Sequence, residues 1–298
     1  MSRSVLFTLG LVALLAAPAL AQDEDPSERL KALESWIVLE EEAAPEPPLL
    51  RLEAGLVGFI EGRSKLRADR AGLLGTNLEN LEEEQGLQSG GLGPWLELSI
   101  GDKVRGGADF LRFVRSGSGF DQQKDPIDFA GRRVAEAGDY LQSSFEFLSL
   151  GAFVEWDVLY GRTYRIGLVG GLRYFRLDFE LRSLKVQRPP YQSFGTRVFG
   201  ELLSPFFGGL IELTPFPYLS VYTQAQFMNW SWRSLELSES RYFHFRLGAR
   251  LNLIPETFSV GLEYRFLVLG ANPSSTRGRR LEGELSANGL SAYVSFSF

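Results

Sequence analysis

From Leu49 onward, apolar and polar residues alternate with a period of two along most of the chain. Side chains of a β-strand point alternately to its two faces, so this pattern predicts strands with one apolar and one polar face. We predict ten strands, although merging or splitting the hairpin at 92–115 would give eight or twelve. The predicted strands are 50–64, 92–100, 103–115, 140–159, 163–182, 198–213, 218–233, 241–253, 257–270 and 288–298.

The connections between these strands alternate in length. The short ones are rich in glycine and proline, which favour tight turns, and lie at 101–102, 161–162, 214–217 and 254–256. The long, polar ones lie at 65–91, 116–139, 183–197 and 271–287. All the tight turns fall at one end of the predicted sheet. This asymmetry is typical of membrane barrels, so we predict an all-β, antiparallel, up-and-down transmembrane β-barrel.

Two predicted strands illustrate how the faces divide. In the strand at 257–270, apolar Phe258 to Val268 alternate with a polar face that includes Glu263 and Arg265. In the strand at 163–182, the apolar phase changes after Tyr174. One inserted residue moves every later side chain to the other face, so we predict a β-bulge at this point.

The alternation does not by itself decide which face points outward. A soluble lipocalin-like barrel would enclose the apolar face, and this remains the alternative. Aromatic residues form two bands, as membrane interfaces select, and this favours an apolar exterior. One band lies near the tight turns: Trp156, Tyr160, Tyr164, Tyr218, Phe258 and Phe296. The other lies further along: Tyr174, Phe227, Trp230, Phe243, Phe245 and Phe266.

The N-terminal part of the chain differs from the rest. Residues 1–21 have a basic start, an apolar stretch and small residues before Gln22, and we predict a signal peptide cleaved after Ala21. Residues 22–48 carry nine acidic and two basic residues. We predict an acidic periplasmic segment with a short helix at 27–44, ended by a Pro-rich linker. Residues 49–298 form the predicted barrel.

Composition excludes several classes of function. The chain has no cysteine, so it forms neither a disulfide nor a thiolate metal site. With one histidine, a zinc site is not expected, and no cofactor is predicted. The acidic pI and the equal numbers of acidic and basic residues in 49–298 do not fit a nucleic-acid footprint, which would need a high pI and a large basic surface.

Three runs carry a resemblance to a known class: Gly-Leu-Glu-Tyr-Arg-Phe at 261–266, Gly-Gly-Leu-Arg-Tyr at 170–174 and Ser-Phe-Ser-Phe at 295–298. Because of these runs, residues 49–298 resemble the OmpA/OmpX-type superfamily of outer-membrane β-barrel proteins. The resemblance implies insertion into the bacterial outer membrane. It also implies that Tyr293, Phe296 and Phe298 belong to the signal read by the barrel assembly machinery. It implies no substrate.

Charged residues of the polar faces should meet in the interior of a narrow barrel. Because unpaired burial of charge is costly, we predict a salt-bridged network that fills the lumen. A gated ion path through rearranging pairs, and hence a small channel, is the alternative. The predicted members are Glu53, Glu97, Arg105, Asp109, Glu155, Asp157, Arg165, Arg173, His244, Arg246, Arg250, Glu263 and Arg265.

We predict no catalytic residue. Outer-membrane proteases of the omptin type use an Asp–His pair, and lipid-modifying barrels use Ser with His. The context of His244, Tyr-Phe-His-Phe-Arg, matches neither pattern. An outer-membrane hydrolase therefore ranks below the channel. The leading hypothesis is a non-enzymatic barrel with a structural or surface-binding role.

The long loops supply the remaining candidates for binding. Arg277, Arg279 and Arg280 form a basic cluster that could contact lipopolysaccharide phosphates through charge-assisted hydrogen bonds. The acidic run at 77–84 predicts a short surface helix. An unidentified ligand at these loops is part of the same hypothesis.

Overall fold

The computed structural model describes residues 49–70, 79–80, 87–88, 90–120, 127–129, 132–136, 139–161, 163–184, 193–232, 237–254, 257–271 and 279–298. The predicted signal peptide, the acidic segment and its helix lie outside the described residues. The part of the chain that is described consists of strands and their connections, and none of it is helical. It contains no helix long and apolar enough to cross a membrane.

Ten strands form the wall of a closed, antiparallel, up-and-down barrel. They are β1 (Leu50–Arg70), β3 (Gly91–Gly101), β4 (Val104–Phe120), β7 (Tyr140–Tyr160), β8 (Tyr164–Leu184), β9 (Ser193–Phe216), β10 (Leu219–Trp232), β11 (Leu237–Ile254), β12 (Phe258–Ala271) and β13 (Arg279–Ser297). Three short strands lie in the long connections: β2 (Glu79–Asn80), β5 (Ile127–Phe129) and β6 (Arg132–Ala135). The prediction of ten strands is confirmed, and the alternatives of eight and twelve are wrong.

Closure of the barrel involves the last residue of the chain. Strand β13 pairs with β1 along its whole length, for example Phe296 with Leu52. Beyond the strand end, Leu50 N–H donates to the Phe298 carbonyl at 3.0 Å, and Phe298 N–H donates to the Leu50 carbonyl at 2.9 Å. These bonds satisfy backbone groups that would otherwise form an open edge. At the same end of the barrel, Gly101 has φ +129°, which favours glycine, and it precedes the turn at 102–103.

Several strands continue further into the long connections than predicted. Strand β13 begins at Arg279 rather than at residue 288, and β1 continues to Arg70. The predicted acidic helix at 77–84 is wrong at Glu79–Asn80, because these residues form β2 and pair with Lys65 and Leu66 of β1. Strand pairing gives the upper part of β1 hydrogen-bond partners that a separate surface helix would leave open.

The exterior of the barrel is apolar and its charged face is buried. Leu262, Leu168 and Phe207 have exposed fractions of 68%, 54% and 58%, whereas Glu263 and Arg173 are 2% and 3% exposed. Trp156 and Tyr218 of the predicted lower aromatic band are also exposed. Because a soluble barrel hides its apolar face, the lipocalin-like alternative is wrong. This exterior is suited to lipid.

The predicted bulge after Tyr174 is absent. Strand β8 keeps its register with both neighbours there, pairing Tyr174 with Leu203 and Phe175 with Leu202 of β9. The apolar residues after Tyr174 therefore point inward, and Phe179 is 1% exposed. Their exterior neighbours are charged: Arg176, Glu180 and Arg182. Strand β8 therefore keeps one register throughout. We call the part of the barrel whose outward residues are apolar the apolar belt. The wall extends above this belt, and at about the same height the interior changes from charged to apolar.

The upper interior is crossed by a row of aromatic rings. Phe59 contacts Phe113 with ring centroids 4.4 Å apart, and Phe113 stacks on Phe147 at 5.0 Å. Phe147 contacts Phe175 at 6.0 Å, and Phe175 contacts Tyr242 at 5.1 Å. These residues come from β1, β4, β7, β8 and β11, so the row crosses from one wall to the other. We call it the ring row.

The apolar exterior leads to a first prediction. Replacing Leu262, which lies on the outer face of β12, by arginine places a charge in the bilayer core. We expect this change to lower the free energy of unfolding in lipid vesicles by about 2–4 kcal/mol. The measurement is urea unfolding followed by the different gel mobilities of folded and boiled protein.

Ser118→Arg is the matched control, because Ser118 is an exposed outward residue of β4 above the apolar belt. We expect a change within about 0.5 kcal/mol for this variant. Equal effects of the two substitutions would contradict an exterior that faces lipid.

Candidate functional site: the charged lumen

The lower half of the interior, near the tight turns, holds one cluster of ion pairs. Arg105 donates to Glu155 at 3.0 Å and to Asp157 at 2.7 Å. Arg165 donates to the same Asp157 at 2.7 Å and to Glu212 at 3.2 Å, and it also pairs with Glu155. All five side chains are buried. Arg105, Glu155, Asp157 and Arg165 each have at least two partners of opposite charge in the cluster, which offsets part of the desolvation cost.

A second cluster lies above the first and is centred on Arg246. Its guanidinium contacts Glu97 at 2.7 Å, Glu263 at 3.0 Å and Glu53 at 3.6 Å. Arg265 also pairs with Glu263. One arginine therefore holds carboxylates from β1, β3 and β12.

Like charges lie side by side on two separate parts of the wall. Glu53, Glu97 and Asp109 are register partners on β1, β3 and β4. Arg246 and Arg265 are register partners on β11 and β12. Like charges directly opposite one another destabilise a sheet, so neither row is favourable alone.

Ion pairs that cross the lumen compensate for both rows. Arg246 reaches Glu97 at 2.7 Å and Arg250 reaches Glu53 at 3.4 Å, and we call these two contacts the cross-lumen pairs. Asp109, the third residue of the acidic row, pairs with Arg173 of β8 at 2.6 Å, and one strand, β7, lies between their strands. The cross-lumen pairs tie the acidic part of the wall to the basic part and leave the interior crosslinked.

Aromatic side chains separate and cover the arginines. The guanidinium groups of Arg246 and Arg265 lie 5.1 Å and 3.9 Å from the Trp95 ring centroid, within the range of cation–π contacts. The Trp95 indole N–H donates to Ser291 at 2.6 Å, and Tyr222 donates to Glu263 at 2.7 Å. These contacts fix the orientation of the charged groups.

All thirteen residues of the predicted network lie on the inner face of the barrel. The structure adds Arg51, Glu212 and Tyr222, which the sequence analysis did not single out. Glu212 accepts hydrogen bonds from Arg250 and from Arg165. The inner face of β9 also carries Leu202, Phe206 and Leu210, so its alternation did not mark it as polar. The signal in the sequence was that Glu212 lies two residues after Leu210 and therefore on the same face of the strand.

His244 lies in the upper cluster and is 5% exposed. It lines a cavity of about 20 Å³ together with Arg173, Arg246 and Arg265. Its Nδ1 has no hydrogen-bond partner among the described residues. A second cavity, of about 40 Å³, lies in the lower cluster. Each is large enough for one or a few water molecules. The described residues contain no group of three or more His, Asp or Glu arranged to hold a metal ion.

The predicted assembly-signal residues lie in or just beyond β13. Tyr293 is buried inside with its ring 5.4 Å from that of Trp95, whereas Phe296 and Phe298 are 38% and 68% exposed. Whether these three residues act as an assembly signal stays a prediction. The basic loop cluster lies outside the description, since Arg277 is not described and the side chains of Arg279 and Arg280 are not.

Above the apolar belt, the outer face of β8 and β9 carries several charged residues, which lie around the exposed Phe199. Arg197 donates to Asp178 at 2.7 Å, and Arg176 donates to it at 3.4 Å. The hydrogen bond from Arg197 lowers the pKa of the Asp178 carboxyl. The stabilisation from this pair is therefore present at neutral pH and is lost as pH falls through the lowered value. We call Arg176, Asp178, Arg197 and Glu201 the charged collar.

A closed antiparallel barrel with an apolar exterior and a charged interior is the architecture of outer-membrane β-barrels, and this chain has that fold. No protein-family model matches the chain, and no curated protein matches its sequence.

Solved structures similar to this chain include three outer-membrane or surface proteins. The outer membrane protease OmpT from Escherichia coli has 13% identity and a TM-score of 0.48, covering 85% of this chain and 98% of its own. Neisserial surface protein A has 13% identity and a TM-score of 0.30, with 84% and 97% covered. The attachment invasion locus protein Ail of Yersinia pestis has 9% identity and a TM-score of 0.26, with 80% and 98% covered.

The cross-lumen pairs lead to a second prediction. Arg246→Ala leaves Glu97 and part of the charge of Glu263 buried without a partner. We expect this variant to lose about 3–5 kcal/mol of unfolding free energy, as for other broken buried pairs. Urea unfolding in vesicles measures the loss.

Arg112→Ala is the matched control, since Arg112 forms a 2.8 Å pair with Glu146 on the outer surface, where both side chains are largely exposed. Its loss should cost at most about 1 kcal/mol. If Arg246→Ala were no more destabilising than Arg112→Ala, the network would not stabilise the fold.

Proposed function

We propose that this protein is a non-enzymatic barrel of the bacterial outer membrane, with a closed lumen and a structural or surface-binding role. In this proposal the mature barrel is inserted by the assembly machinery and is surrounded by lipid and lipopolysaccharide. Its extracellular end supplies the surface on which other molecules bind.

The observation that carries the proposal is that the lumen is filled at two successive heights. The cross-lumen pairs join the walls in the charged half, and the ring row joins them above it. Phe113, Phe147 and Phe175 of the ring row are each 1% exposed or less. A barrel of ten strands has little interior space to begin with, since open aqueous channels are associated with larger barrels. Because side chains fill the lumen at both heights, the structure is better suited to a rigid scaffold than to a channel.

The height of the wall supports a role at the surface. Strands β7, β8 and β9 continue beyond the apolar belt and carry charged outward residues there, including the charged collar. Strand β1 also continues above the belt with outward Glu61, Arg63 and Lys65. A wall that projects from the membrane holds its loops away from the bilayer and on a stiff base, where binding surfaces are well placed.

A small channel is the second candidate. It is favoured by the two cavities in the network, which lie along the lumen and are lined by both signs of charge. Such a channel would need the ring row and the cross-lumen pairs to move together.

A third prediction separates these functions. In a planar bilayer, the protein with residues 22–48 and the barrel intact should insert without giving discrete conductance steps, because the lumen is closed at two heights. The experiment is repeated with Arg246→Ala and with Arg112→Ala. Frequent, stepwise conductance of the unmodified protein, increased by Arg246→Ala and not by Arg112→Ala, would establish a channel gated by the network and contradict the proposal.

A fourth prediction concerns enzyme activity. In the described structure His244 lies among arginines, and its position is suited to a member of the network. We expect the purified barrel and His244→Gln to hydrolyse fluorogenic peptide and ester substrates no faster than the vesicles alone. Hydrolysis by the unmodified protein that His244→Gln abolishes, with the variant still folded on a gel, would reverse the ranking and identify a hydrolase.

A further inference from the structure

The wall of the barrel is incomplete between β9 and β10. The two strands pair from the tight turn up to Phe207 and Phe227. Above that point β9 continues to Ser193, pairing with β8 as far as Leu184. Within the described chain, no residue of β9 from Ser193 to Phe206 pairs with β10. We call this unpaired stretch the seam.

Pro205 marks the beginning of the seam in the sequence. A proline has no backbone N–H, so within sheets it is confined to edges and irregular positions. Pro205 pairs with Leu172 of β8, and therefore the unpartnered edge of β9 at this height faces β10. The residue type thus agrees with a strand whose pairing on that side stops just below it.

The seam starts inside the apolar belt rather than above it. Outward residues Leu203 and Phe207 of β9 and Phe227 of β10 are 55%, 58% and 57% exposed. The next outward residue of β9 is Glu201, whose register partner on β8 is Arg176 of the charged collar. Backbone groups on an open edge have no water to bond in hydrocarbon, and leaving them unsatisfied costs several kcal/mol.

The inner side of the seam is apolar as well. Leu202, Phe206 and Met228 are 7%, 0% and 5% exposed, and they belong to the same apolar interior as the ring row. Ser204 on β9 contacts the sulfur of Met228 on β10, so side chains bridge the seam where backbone pairing has ended. Methionine is unbranched and flexible, and it adapts readily to a new neighbour.

From this arrangement we propose that the seam is a lateral binding site for an acyl chain of an outer-leaflet lipid. The chain enters immediately above the last backbone pair, Phe207 with Phe227, and displaces Met228, so that it lies against Leu202 and Phe206. Its polar headgroup lies at the charged collar, where two arginines share one aspartate. Headgroup oxygens then accept hydrogen bonds from backbone N–H groups in the upper part of the open edge. This function is separate from the scaffold role and does not require an open lumen.

The test uses a phosphatidylcholine with a diazirine in its acyl chain, included in vesicles that hold the folded full-length barrel. After photolysis, mass spectrometry identifies the labelled residues. We expect label on inward Leu202 or Phe206, in addition to outward Phe207 and Phe227. Label confined to outward residues would overturn the proposal, because ordinary contact with the bilayer produces that pattern.

A double variant, Ser204→Cys with Met228→Cys, tests the route. The chain has no cysteine, so a short thiol-bridging reagent reacts at these two positions alone. The unbridged double variant is the matched control, and gel mobility before and after boiling confirms that both forms are folded. We expect bridging to abolish label on Leu202 and Phe206 while leaving label on Phe207 unchanged.

Two other outcomes would also overturn the proposal. Undiminished inner labelling after bridging would mean that the lipid reached the interior by the mouth of the barrel. A covalent dimer produced by the reagent, without inner labelling, would identify a second copy of the chain as the occupant of the seam.

Discussion

Charge compensation across the lumen is the interaction on which the rest of this structure depends. The barrel places acidic residues of β1, β3 and β4 next to one another and does the same with Arg246 and Arg265 of β11 and β12. Either half of the wall would be unfavourable alone. The cross-lumen pairs make the two halves compatible, and they join residues as far apart in the chain as Glu53 and Arg250. Closing the cylinder is therefore an electrostatic requirement as well as a hydrogen-bonding one.

The interior and the exterior of the wall change character at about the same height. Below it, lipid-facing side chains are apolar and the core is ionic. Above it, the outer face of β8 carries charge and the inner face carries Phe175, Phe179 and Leu181. At each height the apolar residues face the side without water. The upper part is packed like a soluble β-domain, and the lower part like a membrane protein, along one uninterrupted strand.

Much of this arrangement could be predicted from the sequence. A period of two gave ten strands and placed residues such as Glu97 and Arg246 on the polar face, and the two aromatic bands indicated that the apolar face points outward. The prediction from alternation was wrong at Tyr174. A bulge shifts the apolar residues to the other phase, and a regular strand that leaves the apolar belt shows the same shift, because its apolar residues then point inward. Alternation also missed Glu212, because the inner face of β9 is mixed. The extent of pairing between two strands depends on the geometry of the closed barrel. The seam therefore could not be predicted from alternation, and Pro205 was its local signal in the sequence.

The ring of strands also has an implication for how the protein reaches its final state. The acidic row of β1, β3 and β4 comes early in the chain, and Arg246 and Arg265 of β11 and β12 come late. Each row of like charge therefore stays uncompensated until strands from both parts of the chain are in place. Burial of these groups becomes favourable only at that stage, because a buried charge without a partner is costly.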